Sequence, residues 1–231
     1  ANVNDVNGVG VAWNTKIQSF NAGLDTFSLA TAIDIAADSS SKIFNISLKA
    51  SDSPALKSAV CKVASKGKLM VIASGNPRVG FGAIESYPAQ YNNGSFTCGD
   101  GTIDLPSHIL AVGGTDYGMP DQVPPIPEAL ASWSVSGLQF NSNPADWVDL
   151  YAPGIDINTF ALIAEGALAG ERYADDGTSF AAPQVAGAAA MLWPLMPLGT
   201  DAATIHDRLI ATAVSIGDIA GIGGNRDEKR L

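Results

Sequence analysis

Short, continuous apolar runs alternate along this chain with longer segments of helical character. The apolar runs predict β-strands at residues 11–20, 42–48, 68–73, 108–113 and 148–151. The longer segments predict α-helices at residues 26–37, 53–65, 179–195 and 201–211. Continuous apolar strands that lie between helices are typical of a parallel sheet covered on both faces. We therefore expect a three-layer α/β fold, with a central parallel sheet flanked by helices, in one domain spanning residues 1–231.

The order of these elements also predicts where a binding site would lie. In open parallel sheets, the site lies at the carboxyl ends of the strands. Ser47 and Asn76 come at the ends of two predicted strands, and Ser179 comes at the start of a predicted helix, so we expect one shared cleft. Residues 156–173 have the pattern of a β-hairpin, and the proline-rich stretch 116–129 indicates a surface loop.

The composition is that of a tightly packed enzyme rather than of a helical bundle or a disordered chain. Apolar residues make up 46% of the 231 residues and charged residues 16%, and there are 24 glycines. The net charge of −10 argues against a nucleic acid as partner. No apolar run is long enough to span a bilayer, so we expect no membrane partner either.

The most informative segment is residues 177–187, with the sequence Gly-Thr-Ser-Phe-Ala-Ala-Pro-Gln-Val-Ala-Gly. Gly177 lacks a Cβ and would let a bound peptide approach the backbone closely. We expect Thr178 or Ser179 to cap the following helix and Pro183 to lie in its first turn. Ser179 would then lie at the positive end of a helix dipole, beside free N–H groups that can stabilise an oxyanion.

This segment resembles the nucleophile motif of the subtilisin-like serine proteases, the subtilases. A second block agrees, because residues 69–76 form an apolar strand that ends in Ser-Gly-Asn. The resemblance implies that Asn76 is the oxyanion-hole asparagine, whose side-chain amide donates a hydrogen bond and carries no titrating charge. Blocks of the same family follow in order from about residue 7 to about residue 212.

Two of these blocks resemble the family's substrate-binding elements. The segment ending in Ser47, Leu48 and Lys49 resembles the strand that pairs with the substrate backbone, although Lys49 stands where the family usually has glycine. Residues 86–89 resemble the floor of the pocket for the side chain before the scissile bond. The resemblance as a whole implies substrate-binding roles for Ser47, Leu48, Lys49, Ala73, Ser74, Gly75, Ser86, Gly177 and Thr178.

The catalytic aspartate and histidine of the family have no counterpart here. A serine hydroxyl needs a base, and subtilisins supply Asp, His and Ser in that chain order. The chain has two histidines: His108 at the expected start of a core strand, and His206 on a predicted helix as a solvated residue. We expect the chain to be incomplete at both ends, and nearly inactive alone. The missing groups would lie on a separate N-terminal chain, have been removed, or never have been present.

The resemblance therefore implies a secreted serine endopeptidase that acts on a peptide or protein by acyl transfer through Ser179. The alternative is a non-catalytic subtilase-like module that binds peptides or proteins in the same cleft. Calcium is the one cofactor the resemblance suggests, with Asn2, Asn4 and Asp5 as a possible ligand loop. Spacing leaves open whether Cys61 and Cys98 form a disulfide or remain free thiols.

Overall fold

The structure, a computed structural model, describes residues 10–94, 96–99, 101, 103–116, 129–160, 172–217 and 228–230. Four α-helices lie within these residues: α1 (Thr26–Ala37), α2 (Pro54–Ser65), α3 (Thr178–Leu192) and α4 (Ala202–Thr212). Each agrees with a predicted helix to within a residue at its start. The predicted third helix ends earlier than expected, because its last turn, Trp193–Leu195, is a 3-10 helix.

Three of these helices begin at a side chain that accepts hydrogen bonds from free backbone N–H groups. Asp25 accepts from the N–H groups of Phe27 and Ser28, both at 3.0 Å, at the start of α1. Ser53 accepts from the third residue of α2 at 3.1 Å, and Asp201 accepts from the third residue of α4 at 2.9 Å. Local sequence therefore sets where α1, α2 and α4 start.

The described strands form one large sheet and three hairpins. They are β1 (Ile43–Ile46), β2 (Leu69–Ala73), β3 (Thr97–Cys98), β4 (Ile103–Asp104), β5 (Ile109–Asp116), β6 (Ala129–Leu130), β7 (Ser132–Val135), β8 (Leu138–Asn141), β9 (Leu150–Pro153), β10 (Ile157–Phe160), β11 (Arg172–Asp175), β12 (Val214–Gly217) and β13 (Glu228–Arg230). The large sheet runs in the order β1-β2-β5-β9-β13-β12, with β6 added to the end of β5. Strands β1, β2, β5 and β9 are all parallel to one another, as predicted.

Alternate residues of the central strands enter two separate cores. Met70 and Ile72 of β2 pack with α1 and α2 on one face of the sheet. Leu69 and Val71 of the same strand pack with α3 and α4 on the other face. All four side chains are fully buried. The three-layer α/β architecture with helices on both faces is thus confirmed.

The predicted strand at residues 11–20 is wrong. Residues 11–14 form a turn, closed by a hydrogen bond of 3.2 Å from the Thr15 N–H to the Ala12 carbonyl, and residues 15–20 have no regular structure. Val11, Trp13 and Ile17 are exposed. An apolar run becomes a strand where a neighbouring strand pairs with its backbone, and no described strand pairs with this segment.

Two other places differ from what the sequence indicated. His108 does not open the core strand but ends a 3-10 helix, Pro106–His108, from which β5 continues. The polar C-terminal segment gave no strand signal, yet β13 lies inside the sheet, parallel to β9 and antiparallel to β12. The predicted hairpin at residues 156–173 is confirmed by the β10–β11 pair. Most of the predicted loop at 116–129 falls outside the described residues.

Cys61 of α2 and Cys98 of β3 form a disulfide, which closes a sequence separation of 37 residues. Cys98 is almost fully buried. The structure thus resolves the pairing that spacing left open. The bond ties the β3–β4 hairpin to α2.

We expect loss of this disulfide to lower the free energy of unfolding by about 3–4 kcal/mol, because a cross-link over this separation restricts the unfolded chain. The measurement is urea unfolding of the variant carrying both Cys61→Ala and Cys98→Ala against the unchanged protein. Adding a thiol reductant to the unchanged protein should reproduce the loss without altering a side chain. Equal unfolding midpoints in all three samples would contradict this role.

Asp149 is a partly buried residue that directly precedes β9, and its carboxyl bonds to the neighbouring strand β5. Its Oδ2 accepts from the Ala111 N–H of β5 at 2.8 Å and from the Asn92 Nδ2 at 2.7 Å. Burial raises the pKa of Asp149 to about 6 from an ordinary value of 3.8, although both hydrogen bonds favour the ionised form. The folded chain therefore holds this proton at pH values where the unfolded chain has released it.

This raised pKa predicts that stability falls as pH rises from about 4 to about 6, since the contribution of the protonated group is lost in that window. Asp149→Asn keeps an oxygen acceptor for both N–H groups but cannot titrate. The fall in the free energy of unfolding over this pH range should therefore be smaller in the variant, by up to about 3 kcal/mol. Urea unfolding at closely spaced pH values measures the slope. The exposed Asp116→Asn is the matched control, and an unchanged slope in Asp149→Asn would show that this carboxyl is not responsible.

Candidate active site

One cleft of about 250 Å³ lies where β1 and β2 end and α3 begins. Of the residues predicted for the site, it is lined by Ser47, Leu48, Lys49, Ala73, Gly75, Asn76, Thr178 and Ser179. The cleft is also lined by Gly23, Leu24, Asp25 and Leu29, which the sequence had not indicated. Parallel strands that end at one edge of a sheet explain why segments far apart in the chain meet here.

The start of α3 differs from the expectation for its cap. Gly177, not Thr178 or Ser179, is the N-cap residue, and a glycine has no side-chain atom that could accept a hydrogen bond from the helix. Pro183 lies six residues into the helix rather than in its first turn. Gly177 has φ +134°, and a Cβ there would lie 3.1 Å from the Asn76 Nδ2. Glycine is thus required by backbone conformation and by the closeness of the Asn76 amide.

The orientation of the Asn76 amide follows from its hydrogen bonds. Its Oδ1 accepts from the Thr178 N–H at 3.1 Å and from the Thr178 hydroxyl at 2.7 Å. The Thr178 hydroxyl in turn accepts from the Gly75 N–H at 3.2 Å. Because a backbone N–H can only donate, the atom facing Thr178 must be the oxygen of the amide. The NH₂ group of Asn76 is therefore the part left to donate to a ligand.

Ser179 is the second residue of α3, so its backbone N–H has no carbonyl within the helix to bond. Its hydroxyl donates to the Ser47 carbonyl at 3.4 Å. In the opposite direction, the Ser47 hydroxyl donates to the Ser179 carbonyl at 2.9 Å. The end of β1 and the start of α3 are thus joined by a reciprocal pair of serines.

Three predicted site residues lie behind the cleft rather than on its surface. Ser74 is fully buried, and its N–H donates to the Val112 carbonyl of β5 at 2.9 Å. Ser86 is also fully buried, and its Oγ would lie 3.0 Å from a Cβ at position 75. With Gly177 at the helix cap, these residues support the cleft from beneath.

Asn143 is a buried residue of this region that the sequence analysis missed. Its Nδ2 donates to the Ser74 carbonyl at 2.9 Å and to the Ile84 carbonyl at 2.8 Å. Its Oδ1 accepts from the Ile84 N–H at 3.1 Å, and its own N–H donates to the Gly75 carbonyl at 3.0 Å. The amide therefore joins the segment before Asn76 to the segment before Ser86. In the sequence it looks like a turn residue, since it precedes a proline.

Two charged side chains of opposite sign line the cleft. Asp25 is occupied as the cap of α1, and the hydrogen bond from the Ser28 hydroxyl lowers the pKa of its carboxyl. Lys49 is exposed and makes no ion pair with any residue in the described part of the chain. Lys49 is thus the free cation of this cleft among the described residues.

Neither histidine lines the cleft. His206 is not the solvated helix residue expected, because its side chain is only 12% exposed and its Nδ1 lies 2.9 Å from the Asp207 Oδ1. For calcium, Asn2, Asn4 and Asp5 lie outside the described residues. Within the described ranges, no three His, Cys, Asp or Glu side chains cluster so as to hold a metal ion.

Comparison with known proteins agrees with this architecture. The model of the Subtilase family matches residues 1–229. The chain is 34% identical over 201 residues to "Thermophilic serine proteinase" of Bacillus sp. (strain AK1), covering 83% of this chain and 39% of that protein. It is 30% identical over 221 residues to Subtilisin Savinase of Lederbergia lenta, covering 93% of this chain and 66% of that protein.

A solved structure, that of a cold adapted subtilisin-like serine proteinase, matches with a TM-score of 0.57 and 25% sequence identity. The match covers 87% of this chain and 58% of the solved one. Fold and cleft thus define a three-layer α/β protein of the subtilisin-like class. The chain belongs to the subtilase family. It spans between 39% and 66% of the length of the two curated relatives named above.

The hydrogen bonds of Thr178 predict that its hydroxyl group, rather than its methyl group, stabilises the residues around the cleft. Thr178→Val has nearly the same volume but leaves the Gly75 N–H and the Asn76 amide without this partner. We expect a loss of about 1–3 kcal/mol in the free energy of unfolding, measured by urea titration. Thr178→Ser retains the hydroxyl and should lose much less. Equal losses in the two variants would assign the effect to the methyl group instead.

Proposed function

We propose that this chain carries the nucleophile and oxyanion hole of a serine endopeptidase that cleaves peptide bonds by acyl transfer. The observation that carries the proposal is the cleft in which Ser179, at the start of α3, lies with the oriented amide of Asn76. A hydroxyl at the N-terminus of a helix, beside a neutral amide donor, suits a reaction in which negative charge develops on a carbonyl oxygen.

In the proposed reaction, the Ser179 oxygen attacks the scissile carbonyl carbon and forms a tetrahedral intermediate. The oxyanion receives hydrogen bonds from the Asn76 NH₂ and the Ser179 N–H. A histidine takes the hydroxyl proton and passes it to the leaving amine, and an aspartate orients that histidine. Both would come from a segment outside these residues, since neither histidine of this chain lines the cleft.

The edge of the sheet offers a place for such a segment. Within the described residues, β1 pairs with β2 on one side and with no strand on the other. An exposed strand edge can accept a further strand through backbone hydrogen bonds. A parallel strand added there would end beside Ser47, and therefore beside Ser179.

Substrate would bind as an extended peptide against the backbone that follows β1, at Ser47, Leu48 and Lys49, and against Gly75 after β2. Ala73 and Thr178 complete the same wall. Lys49 puts a positive charge in the proposed substrate cleft, where the family usually has glycine. This charge would influence which peptide side chains bind there.

A second candidate is a non-catalytic module that binds peptides or proteins in this cleft. It is favoured by the present partner of the Ser179 hydroxyl, which is the Ser47 carbonyl at 3.4 Å rather than a base. The two candidates share the binding surface and differ in the chemistry at Ser179.

We also propose that the protein is secreted. The Cys61–Cys98 disulfide supports this, because such bonds persist mainly in oxidising compartments. No helix in the described part of the chain combines the length and apolar character needed to cross a bilayer.

A phosphonofluoridate probe, which modifies activated serines, distinguishes the two functions. We expect the full-length gene product to be labelled rapidly and stoichiometrically at Ser179, as read by intact mass and peptide mapping. Residues 1–231 alone should be labelled slower by about 10⁶-fold, in keeping with loss of triad partners.

Ser179→Ala and Asn76→Ala are the matched variants of the full-length product. The first should abolish labelling, and the second should slow it by about 10²–10³-fold through loss of one oxyanion donor. A full-length product that leaves Ser179 unlabelled would support the binding module. Rapid labelling of residues 1–231 alone would show that the chain already holds a base.

A further inference from the structure

The helix that carries Ser179 is missing a hydrogen bond at that residue. In an α-helix, the carbonyl of each residue accepts from the N–H four positions later. For Ser179 that position is Pro183, which lies inside α3 and has no N–H. The residue whose hydroxyl and N–H would perform the chemistry thus cannot be held by the ordinary helix bond of its carbonyl.

The missing bond is replaced from outside the helix. The Ser47 hydroxyl, at the end of β1, donates to the Ser179 carbonyl at 2.9 Å. This is a good hydrogen-bond length for two oxygens, whereas the return contact from the Ser179 hydroxyl to the Ser47 carbonyl is long at 3.4 Å. The bond into the Ser179 carbonyl is therefore the stronger of the two links.

We propose that Ser47 is a positioning residue: its hydroxyl takes the place of the Pro183 N–H and sets the orientation of the Ser179 backbone. This inference rests on the proposed role of Ser179 as nucleophile. The Ser179 carbonyl belongs to the same residue as the oxyanion N–H and the reacting hydroxyl, so a tilt at the carbonyl moves both. Pro183 leaves the carbonyl open, and Ser47 ties it to the strand end that also lines the cleft.

This arrangement gives Ser47 two separable tasks. Its backbone is expected to bind substrate, and Ser47→Ala leaves these backbone groups in place. Its hydroxyl acts through Ser179 and should influence the chemical step. Ser47→Ala should therefore lower kcat, and the rate of phosphonylation at saturating probe, by tenfold or more, in line with the roughly 10²-fold cost of a 1 Å displacement. KM should change by less than about twofold, because the backbone contacts that bind substrate remain.

The test is a double-mutant cycle in the full-length gene product. Pro183→Ala supplies the N–H that the wild-type helix lacks, so Ser47→Ala combined with Pro183→Ala should recover most of the rate that Ser47→Ala loses. The Pro183→Ala single variant is the reference for this recovery. Ser47→Thr retains the hydroxyl and should therefore recover most of the rate that Ser47→Ala loses. Ser65→Ala, which removes a hydroxyl bonded to the Lys62 carbonyl of its own helix, is the unrelated control.

A spectroscopic readout separates this inference from the proposed function. The ¹³C chemical shift of the Ser179 carbonyl can be read in ¹³C-serine, ¹⁵N-phenylalanine protein, since Ser179–Phe180 is one of three Ser-Phe pairs. It should move to lower frequency in Ser47→Ala and return in the double variant.

If the wild-type protein is not labelled at Ser179, the proposed function fails, and the carbonyl shift still decides whether Ser47 holds this residue. An unchanged shift in Ser47→Ala overturns the inference. If wild type is labelled, equal labelling of Ser47→Ala overturns it, and so does a slowed rate that Pro183→Ala fails to restore.

Discussion

The candidate site depends on the hydroxyl of Thr178, which is fully buried where two strand ends meet the start of a helix. It accepts from Gly75 and donates to Asn76, and thereby satisfies a backbone N–H and orients a side-chain amide at once. A buried N–H without an acceptor costs about 1–3 kcal/mol, so this place in the structure requires a hydroxyl. Helix α3 can begin at a glycine because the side chain of Asn76, in the segment that follows β2, accepts a hydrogen bond from the first N–H of the helix.

Much of the fold could be predicted because its signals are local. The run at β2 is apolar at every position and buried at every position, so a fully covered strand was the simple interpretation. Three helix starts are marked by a local N-cap residue, whose side chain bonds to N–H groups two or three positions later. These residues are Asp25, Ser53 and Asp201. The wrong strand at residues 11–20 and the unpredicted strand β13 have a common cause. Strand β13 forms, despite its charged residues, because its backbone pairs with β9 and β12. No described strand pairs with residues 11–20, and this segment has no strand.

For the candidate site, the sequence indicated which segments meet but not the hydrogen bonds between them. Motifs predicted that Asn76 and Ser179 share a cleft, and both line the same cleft in the structure. The cap of α3 was assigned wrongly, because a local rule cannot foresee that a side chain 102 residues away caps the helix. Asn143 was missed for the same reason, since its four hydrogen bonds all join it to residues distant in the sequence. The cleft wall at residues 23–25 follows from tertiary packing alone.

The sequence distances spanned by these bonds have a consequence for how the molecule folds. Thr178 is bonded to Gly75 across 103 residues, and Ser47 to Ser179 across 132 residues. Contacts this remote require large loops to close before they form, so they are slow to appear during folding. A nascent or partly folded chain therefore contains Ser179 before the contacts that position it have formed. The proposed reactivity of Ser179 therefore depends on completion of this long-range topology, in addition to the base proposed to come from outside these residues.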